Sequence, residues 1–514
     1  MNKQQIDEAR QLLQGYLMED EQVELHTYSI LHNIYNNAII PIKDNICFSS
    51  ALIVILCHLS RPLNWFKFNI YLHQEVNKPH VPLNIYGTNI LRSGGGKGIT
   101  TNTMNGLLGF DAIKRQYIES IVTGSDDKEY VNNLFLVADA ELQDSATTAG
   151  LRGVNKLLRD SFTELNITNT FGSVFFNLEE FADTLDNASS FDRDFLSTLK
   201  NLYDLGNTGA KAINERIKEA LNGFAVSFLA STTEKILQDN AKISKAFNSY
   251  LIGGNARRTL LSMPSNSEFD KLERKRLADN GLSLMEWHEK TRYKEGQSTS
   301  NVQKYIYARI NNLIRLKRQS KVDITLREDT YFYYRVYKAY CNYMKDYINN
   351  DILCAEMEGR AWKALKISGV LSLFCCNNND MTIDIDTFLE AVKIVEYYGH
   401  HLKRYLNSRV VSCADKIVEL LLDSNNCAIT QTALAHNNEV LSYNNKGETP
   451  VKFLKSQIDD VEQILSNKGY DLITDKVGYR KKIVVYAAIE DGKYCNPTIR
   501  NDAPYAIFDN IPQK

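Results

Sequence analysis

Apolar and polar positions alternate along this chain with changing period, and the changes mark out its parts. The first stretch, 1–80, pairs a polar beginning with an apolar packing segment, and its run 46–59, ICFSSALIVILCHL, is the most apolar in the sequence. That run falls short of the roughly 20 residues that cross a bilayer, so a buried helix is expected there. His58 and His73 have no carboxylate or thiolate at helical spacing and read as structural, not as ligands. Over 81–264 short apolar runs at 83–90, 133–138, 174–178, 224–230 and 259–263 alternate with longer amphipathic stretches. Alternation of that kind predicts a parallel sheet covered by helices.

The pattern then shifts three times. Across 265–326 apolar content falls and cations gather, and 327–411 reads as all helical, with Tyr331, Tyr333, Tyr334, Tyr337 and Tyr340 at core-like spacing. From 412 to 490 the expected order is a helix at 414–422, a short helix at 430–435, a long helix at 450–468, and strands at 470–474 and 482–488. Three helices followed by a hairpin is a winged-helix-like order, found both on nucleic acid and between proteins. An irregular tail, 491–514, closes the chain.

Composition narrows the setting. With 514 residues, two or three domains are expected. Lys plus Arg number 60 against 62 Asp plus Glu, so any basic surface must be local. The nine cysteines show no Cys-x-x-Cys spacing, which predicts reduced thiols in a cytoplasm, not a disulfide framework or a zinc site. Positions 1–24 lack the basic start and apolar core of a signal peptide, and no membrane association is expected.

Candidate chemistry centres on Ser93-Gly94-Gly95-Gly96-Lys97-Gly98, set between an apolar run and a helix-like segment that includes Ile99 and Thr100. Glycines let a backbone curl until several N–H groups face one anion, and a lysine adds a full charge. The full P-loop pattern has Gly where Leu91 stands and Ser or Thr where Gly98 stands, so a hydroxyl for magnesium would come from Thr100, Thr101 or water. A flexible turn is the plain alternative. A second, acidic element is needed, and the run 174–178 ends in Glu179-Glu180: Glu179 for the metal, Glu180 for water, or else both an ordinary acidic helix start. Ser231-Thr232-Thr233 ends another run, where hydroxyls could meet a terminal phosphate. Arg257 and Arg258 follow Gly253-Gly254-Asn255-Ala256, as a finger toward a neighbour's nucleotide or as ordinary ion pairs. Lys304, Arg309, Arg315, Lys317, Arg318 and Lys321 form a basic amphipathic strip that reads as a solvated face or as a track for a nucleic-acid backbone. Arg480, Lys481 and Lys482 sit on the expected hairpin.

Taken in order, the Gly-Gly-Gly-Lys, the segment Asp144-Ser145-Ala146-Thr147-Thr148-Ala149-Gly150-Leu151, the run ending Glu179-Glu180, Leu199-Lys200-Asn201-Leu202-Tyr203-Asp204 and the Gly-Asn-Ala-Arg-Arg stretch resemble the P-loop helicase half of phage and mobile-element primase-helicases, over about 45–410. The resemblance implies an α/β P-loop core of RecA/AAA+-like type with helical flanking domains and the winged-helix-like module behind it. It implies an ATPase that assembles as a homo-oligomeric ring, a hexamer among the options, and moves along single-stranded DNA with ATP and Mg2+. By position, Lys97 would bind the β- and γ-phosphates, Glu179 and Glu180 would serve magnesium and water, and Arg257 would be the finger. Gly98 and the Glu-Glu pair depart from the family pattern, which puts the speed of hydrolysis in question. No primase catalytic domain is expected before 81, so a separate primase or replication protein would supply primers. The rival expectations are a nucleotide-switched, DNA-binding replication initiator or loader, and a non-hydrolysing structural oligomer.

Overall fold

Every residue of the strands Tyr86–Leu91, Ser173–Leu178 and Thr259–Ser262 is buried. Strands covered on both faces read in this way, because neither face is left for polar side chains. A computed structural model describes residues 3–17, 29–40, 46–73, 80–92, 95–122, 128–137, 139–143, 148–168, 170–186, 198–204, 206, 211–213, 216–218, 225–239, 241–265, 268, 284–319, 323–375, 381–407, 413–423, 428–441, 448–467, 470–477, 483–490 and 493–494. The chain divides into two units, Met1–Asn407 and Ser408–Lys514.

In the first unit the strands are β1 (Asn69–Tyr71), β2 (His80–Pro82), β3 (Tyr86–Leu91), β4 (Asp139–Gln143), β5 (Ser173–Leu178), β6 (Lys211–Ile213), β7 (Arg216–Lys218), β8 (Val226–Thr233), β9 (Thr259–Ser262), β10 (Ile324–Leu326) and β11 (Thr382–Ile383). Five of them make the central sheet, in the order β4-β5-β8-β3-β9, with every neighbouring pair parallel. Parallel neighbours need crossovers, and helices supply them. A smaller sheet, β11-β10-β1-β2, and the β6–β7 hairpin complete the unit. The architecture is α/β with a parallel sheet between helices.

One face of the sheet is covered by the helix Phe48–Trp65, buried at every position from Ser49 to Trp65. It lies so close to β3 that a Cβ on Gly87 would come within 2.2 Å of Ile53 Cγ2, so only glycine permits the approach. On the same face, Asn89 Nδ2 donates to the Ser50 carbonyl. Side chains alternate along a strand, and Tyr86 accordingly points to the other face, where its hydroxyl donates to the Leu199 carbonyl and its ring meets Tyr203 and Phe228.

One element was misplaced by pattern. The run 133–138 was expected as a strand; residues 133–137 close the helix Lys128–Val137, and the strand is β4, immediately after it. Leu134 and Val137 are buried three apart while Leu136 stands 73% exposed, which is a helical period. β4, Asp-Ala-Glu-Leu-Gln, carries two acids that conceal it as a strand. Both are matched by one buried cation, for Arg61 meets Asp139 at 2.8 Å and Glu141 at 3.3 Å.

The helices Glu328–Met344, Asp351–Cys375 and Ile385–Asn407 share one hydrophobic core with the sheet, running in sequence from Leu13 to Tyr405. Lys366, fully buried, donates to Asn84 Oδ1 at 2.5 Å and to the Tyr203 carbonyl at 2.6 Å, tying a helix to the entry of β3. Buried charges cross the helix contacts: Arg360 bonds Glu356 and Glu396, Lys363 bonds Glu356, and the Tyr337 hydroxyl donates to Glu396.

The second unit has its own core. Helices Cys413–Asp423, Gln431–Ala435, Asn438–Leu441 and Pro450–Asn467 accompany β12 (Ala428–Thr430), β13 (Tyr470–Val477), β14 (Ile483–Glu490) and β15 (Lys493–Tyr494). Its sheet runs β12-β14-β13, antiparallel throughout, with β15 on β14. Thr430 caps the short helix by accepting from Ala433 N–H at 3.2 Å. Among the described residues no helix is long and apolar enough to cross a membrane.

Candidate functional site

β3 ends at Leu91 and the helix Lys97–Leu108 opens six residues later. Between them Gly95 N–H donates to the Arg92 carbonyl, and Gly96 adopts a left-handed conformation at φ 82°. A Cβ on Gly95 would come within 2.9 Å of that Arg92 oxygen. Two glycines are therefore required by the turn itself. Lys97 is the first residue of the helix, so its backbone and those of Gly98 and Ile99 carry N–H groups without partners in the helix. Such groups and the helix dipole favour an anion. Ser93, Gly94 and the Lys97 side chain lie outside the described residues.

Gly98 faces open space, so a side chain there would meet nothing within 4 Å. The nearby hydroxyl of Thr100, expected as a metal ligand, is turned inward: Oγ1 donates to the Gly96 carbonyl at 3.2 Å, and the residue is buried. In this geometry it braces the glycine turn. The carboxylates of Glu179 and Glu180 stand exposed in the turn that joins β5 to the helix Phe181–Asp186.

Register brings three strand ends to one edge. Leu91 pairs with Thr233 across β3 and β8, while Leu178 pairs with Ala230 across β5 and β8. The glycine turn, Ser231-Thr232-Thr233 and Glu179-Glu180 therefore leave the sheet at the same end, with β8 between β3 and β5, about 10 Å sideways at ordinary strand spacing, and with β5 ending level with Thr88, three residues short of Leu91. Two polar atoms beside this edge are unsatisfied. Thr232 Oγ1 and Asn89 Oδ1 are buried and have no hydrogen-bond partner. A buried polar atom without a partner is costly, which makes each a place where a ligand would be welcome. Asn89 was not singled out from sequence; its signal is an amide inside an otherwise apolar strand.

Arg257 is not at this edge. Thr259 pairs with Tyr86, the first residue of β3, so Arg257 precedes β9 at the opposite end of the sheet. Its side chain is 42% exposed and meets Glu358 at 3.6 Å. Its neighbour Arg258 is an ordinary half-buried tie, held by Asp204 at 2.7 Å and bonded to the Gly254 carbonyl at 2.8 Å. The helix Asp351–Cys375 abuts this bend, where a Cβ on Gly359 would fall 1.8 Å from the Arg257 carbonyl oxygen.

The basic strip belongs to the helix Leu284–Gln319. Arg309 is withdrawn from it: the residue is 7% exposed and Nε donates to the Leu373 carbonyl at 2.5 Å, so it anchors the helix and cannot follow a backbone. Lys317 lies 5.0 Å from the Phe68 ring, and burial holds its ammonium below the usual lysine range. Lys304, Arg315 and Arg318 are exposed. Lys321 and the hairpin cations Arg480, Lys481 and Lys482 lie outside the described residues. Among the described residues no cluster of three His, Cys, Asp or Glu side chains could hold a metal alone. A magnesium ion held chiefly by phosphates would not need one. Neither a known protein-family model nor a curated protein sequence matches this chain.

Proposed function

We propose that the chain is an ATP-dependent motor on single-stranded DNA, a helicase or translocase of a replicating phage or mobile element that works as an oligomer. One observation carries the nucleotide part. A turn that demands two glycines opens a helix at Lys97 on the sheet edge where the unsatisfied Thr232 hydroxyl and the Glu179-Glu180 pair also emerge. Ligands of open α/β sheets sit outside the carboxyl ends of the strands.

The residues present fit a nucleoside triphosphate with magnesium in most respects. Backbone N–H groups of the turn and Lys97 would hold the phosphates, Thr232 would meet the terminal one, and Glu179 would help hold the cation. The cation would neutralise charge on the phosphates. Glu180 would orient and polarise the attacking water. Phosphoryl transfer asks mainly for such positioning and charge stabilisation.

One observation favours a second reading. With Gly98 after the lysine and the Thr100 hydroxyl spent on Gly96, no described side-chain hydroxyl is presented to a cation from the first helical turn. A nucleotide-switched initiator or loader, which binds ATP and turns it over slowly, would tolerate that. The test is ATP hydrolysis with and without single-stranded DNA, on wild type, Lys97→Ala and Glu180→Gln. The motor reading expects DNA-stimulated turnover lost in both variants, with nucleotide binding kept in Glu180→Gln. Unchanged turnover in a folded Lys97→Ala protein would sink it, and tight binding of nucleotide and DNA without turnover would favour the switch.

A further inference from the structure

The helices Phe110–Ile121 and Leu284–Gln319 enclose a half-open groove of about 210 Å3. Gln116, Tyr117 and Ser120 line it from the first helix, and Asn311, Arg315 and Arg318 from the second. Among the described residues no carboxylate lines it. The second helix has no acidic residue from 303 to 319, so nothing in that segment offsets the two guanidinium groups.

The arginines are set for an anion. The Arg318 guanidinium carbon lies over the Tyr117 ring, 4.4 Å from its centroid, and Nη2 donates to Ser120 Oγ at 2.6 Å. A guanidinium has five N–H groups in a fixed fork, more than those contacts use. Arg315, three residues earlier and so on the same side of the helix, is steadied by Asn312 Oδ1 at 3.1 Å. Paired, pre-positioned guanidinium forks suit phosphate geometry better than lysines do. Size limits the ligand further. Pockets for whole small molecules run from about 300 Å3 upward, so this groove suits one phosphate and part of its sugar.

We propose that this groove grips a backbone phosphate of a single-stranded nucleic acid through Arg315 and Arg318, with Gln116, Ser120 and Asn311 adding hydrogen bonds. The inference rests on the nucleic-acid partner proposed above and locates it. It also links the two ends of the reading. The groove's first helix follows Lys97–Leu108 directly through Gly109, which is left-handed at φ 53°. The second helix is braced along both: Gln303 Nε2 donates to the Gly106 carbonyl at 2.9 Å, and the Tyr307 ring lies beside Gly109. A strand held in the groove would thus bear on the element that opens at the glycine turn.

The experiment is binding of a fluorescent oligothymidylate to the full chain across a salt series. Each lost phosphate contact lowers the log-log slope on single strands by about 0.7. Arg315→Gln with Arg318→Gln is expected to weaken binding and to flatten the slope by about 1.4, each single change giving about half. Arg315→Lys with Arg318→Lys should keep most of the slope at lower affinity, and Arg335→Gln, on another helix, should change neither. An unchanged slope in the folded double Gln protein overturns the proposal. So does inorganic phosphate binding, lost in the double Gln protein, that the oligonucleotide does not displace, because the site would then serve a free anion. DNA-stimulated hydrolysis that keeps its strand affinity and salt slope in the folded double Gln protein overturns this inference alone, whereas strand binding through the groove without hydrolysis upholds it and sinks the motor.

Discussion

Thr232 is the last but one residue of β8, its hydroxyl buried and unpartnered, one residue before the strand end that pairs with Leu91. If the hydroxyl exists for a terminal phosphate, removing it should separate stability from function. Thr232→Val keeps the shape and removes an unsatisfied group, so the folded state should be unchanged or gain up to about 1 kcal/mol. A hydrogen bond to a charged group is worth about 1.5–3 kcal/mol, so turnover should fall roughly tenfold or more. Denaturant unfolding and ATP hydrolysis read the two effects, and equal activity in both proteins would make Thr232 structural. Two histidines give a prediction in pH. His58, whose Nδ1–H donates to the Val54 carbonyl, is driven by burial, and next by Arg61, down to about 3. His401 is driven well below the usual range by burial and by Arg404. Both stay neutral when folded and take up protons when unfolded, so stability is present above about pH 6.5 and is lost as pH falls. Each contributes a loss of up to about 1.4 kcal/mol per pH unit below that point. Burial raises the Glu356 carboxyl, but Arg360 and Lys363 outweigh it and hold it low, so its own contribution is lost only below the usual carboxylate range. Unfolding free energies between about pH 6.5 and 5 should therefore fall in wild type and fall less in His58→Gln.

Packing between elements depends on small residues that sequence does not announce. Arg360 leaves the helix Asp351–Cys375 and crosses Gly399 of the helix Ile385–Asn407, where a Cβ would sit 2.0 Å from Arg360 Nη2. Gly399→Ala is expected to push the guanidinium off Glu356 and Glu396 and leave charges buried without partners, a loss of about 3–5 kcal/mol. A thermal melt checks this, and a shift within error would mean the network has another route past the methyl group. Much at this scale was legible in sequence. The helix over 46–59, the runs that became β3, β5, β8 and β9, and three helices and the hairpin strands of the second unit follow from apolar period and turn residues, whereas β12, the helix Asn438–Leu441 and β15 are too short to carry a period. β4 did not, because Asp139 and Glu141 make a polar strand whose acids are answered by Arg61 from a helix 78 and 80 positions away. The glycine turn and the Glu179-Glu180 turn were legible as motifs, but their shared edge was not, since register is a property of pairing and not of either segment. Arg309 departs from the basic strip for a similar reason: a cation of an amphipathic segment becomes an anchor once the Leu373 carbonyl lies beside it.

The whole first unit sets Arg257 and the glycine turn at opposite ends of the central sheet. From Tyr86, level with Thr259, to Leu91 is five steps along β3, or about 17 Å at the usual rise. An arginine side chain cannot span that distance around a strand to its own chain's turn. Arg257 is instead exposed beside Glu358, on a bend seated against Gly359 and steadied by Arg258–Asp204 and by Lys200 Nζ on the Gly253 carbonyl at 2.6 Å. If it serves phosphoryl transfer at all, it serves a neighbouring copy, and a head-to-tail assembly is the arrangement that brings one end of a sheet to the other end of the next. Arg257→Ala should then leave the melting temperature nearly unchanged while lowering turnover at least a thousandfold, the scale of a lost finger. Arg258→Ala should lower the melting temperature instead. Inactive Arg257→Ala chains mixed with inactive Lys97→Ala chains should recover part of the activity, because some contacts then pair an intact arginine with an intact lysine. Mixtures shown by mass to co-assemble, yet silent at every ratio, would remove Arg257 from catalysis and return it to its contact with Glu358.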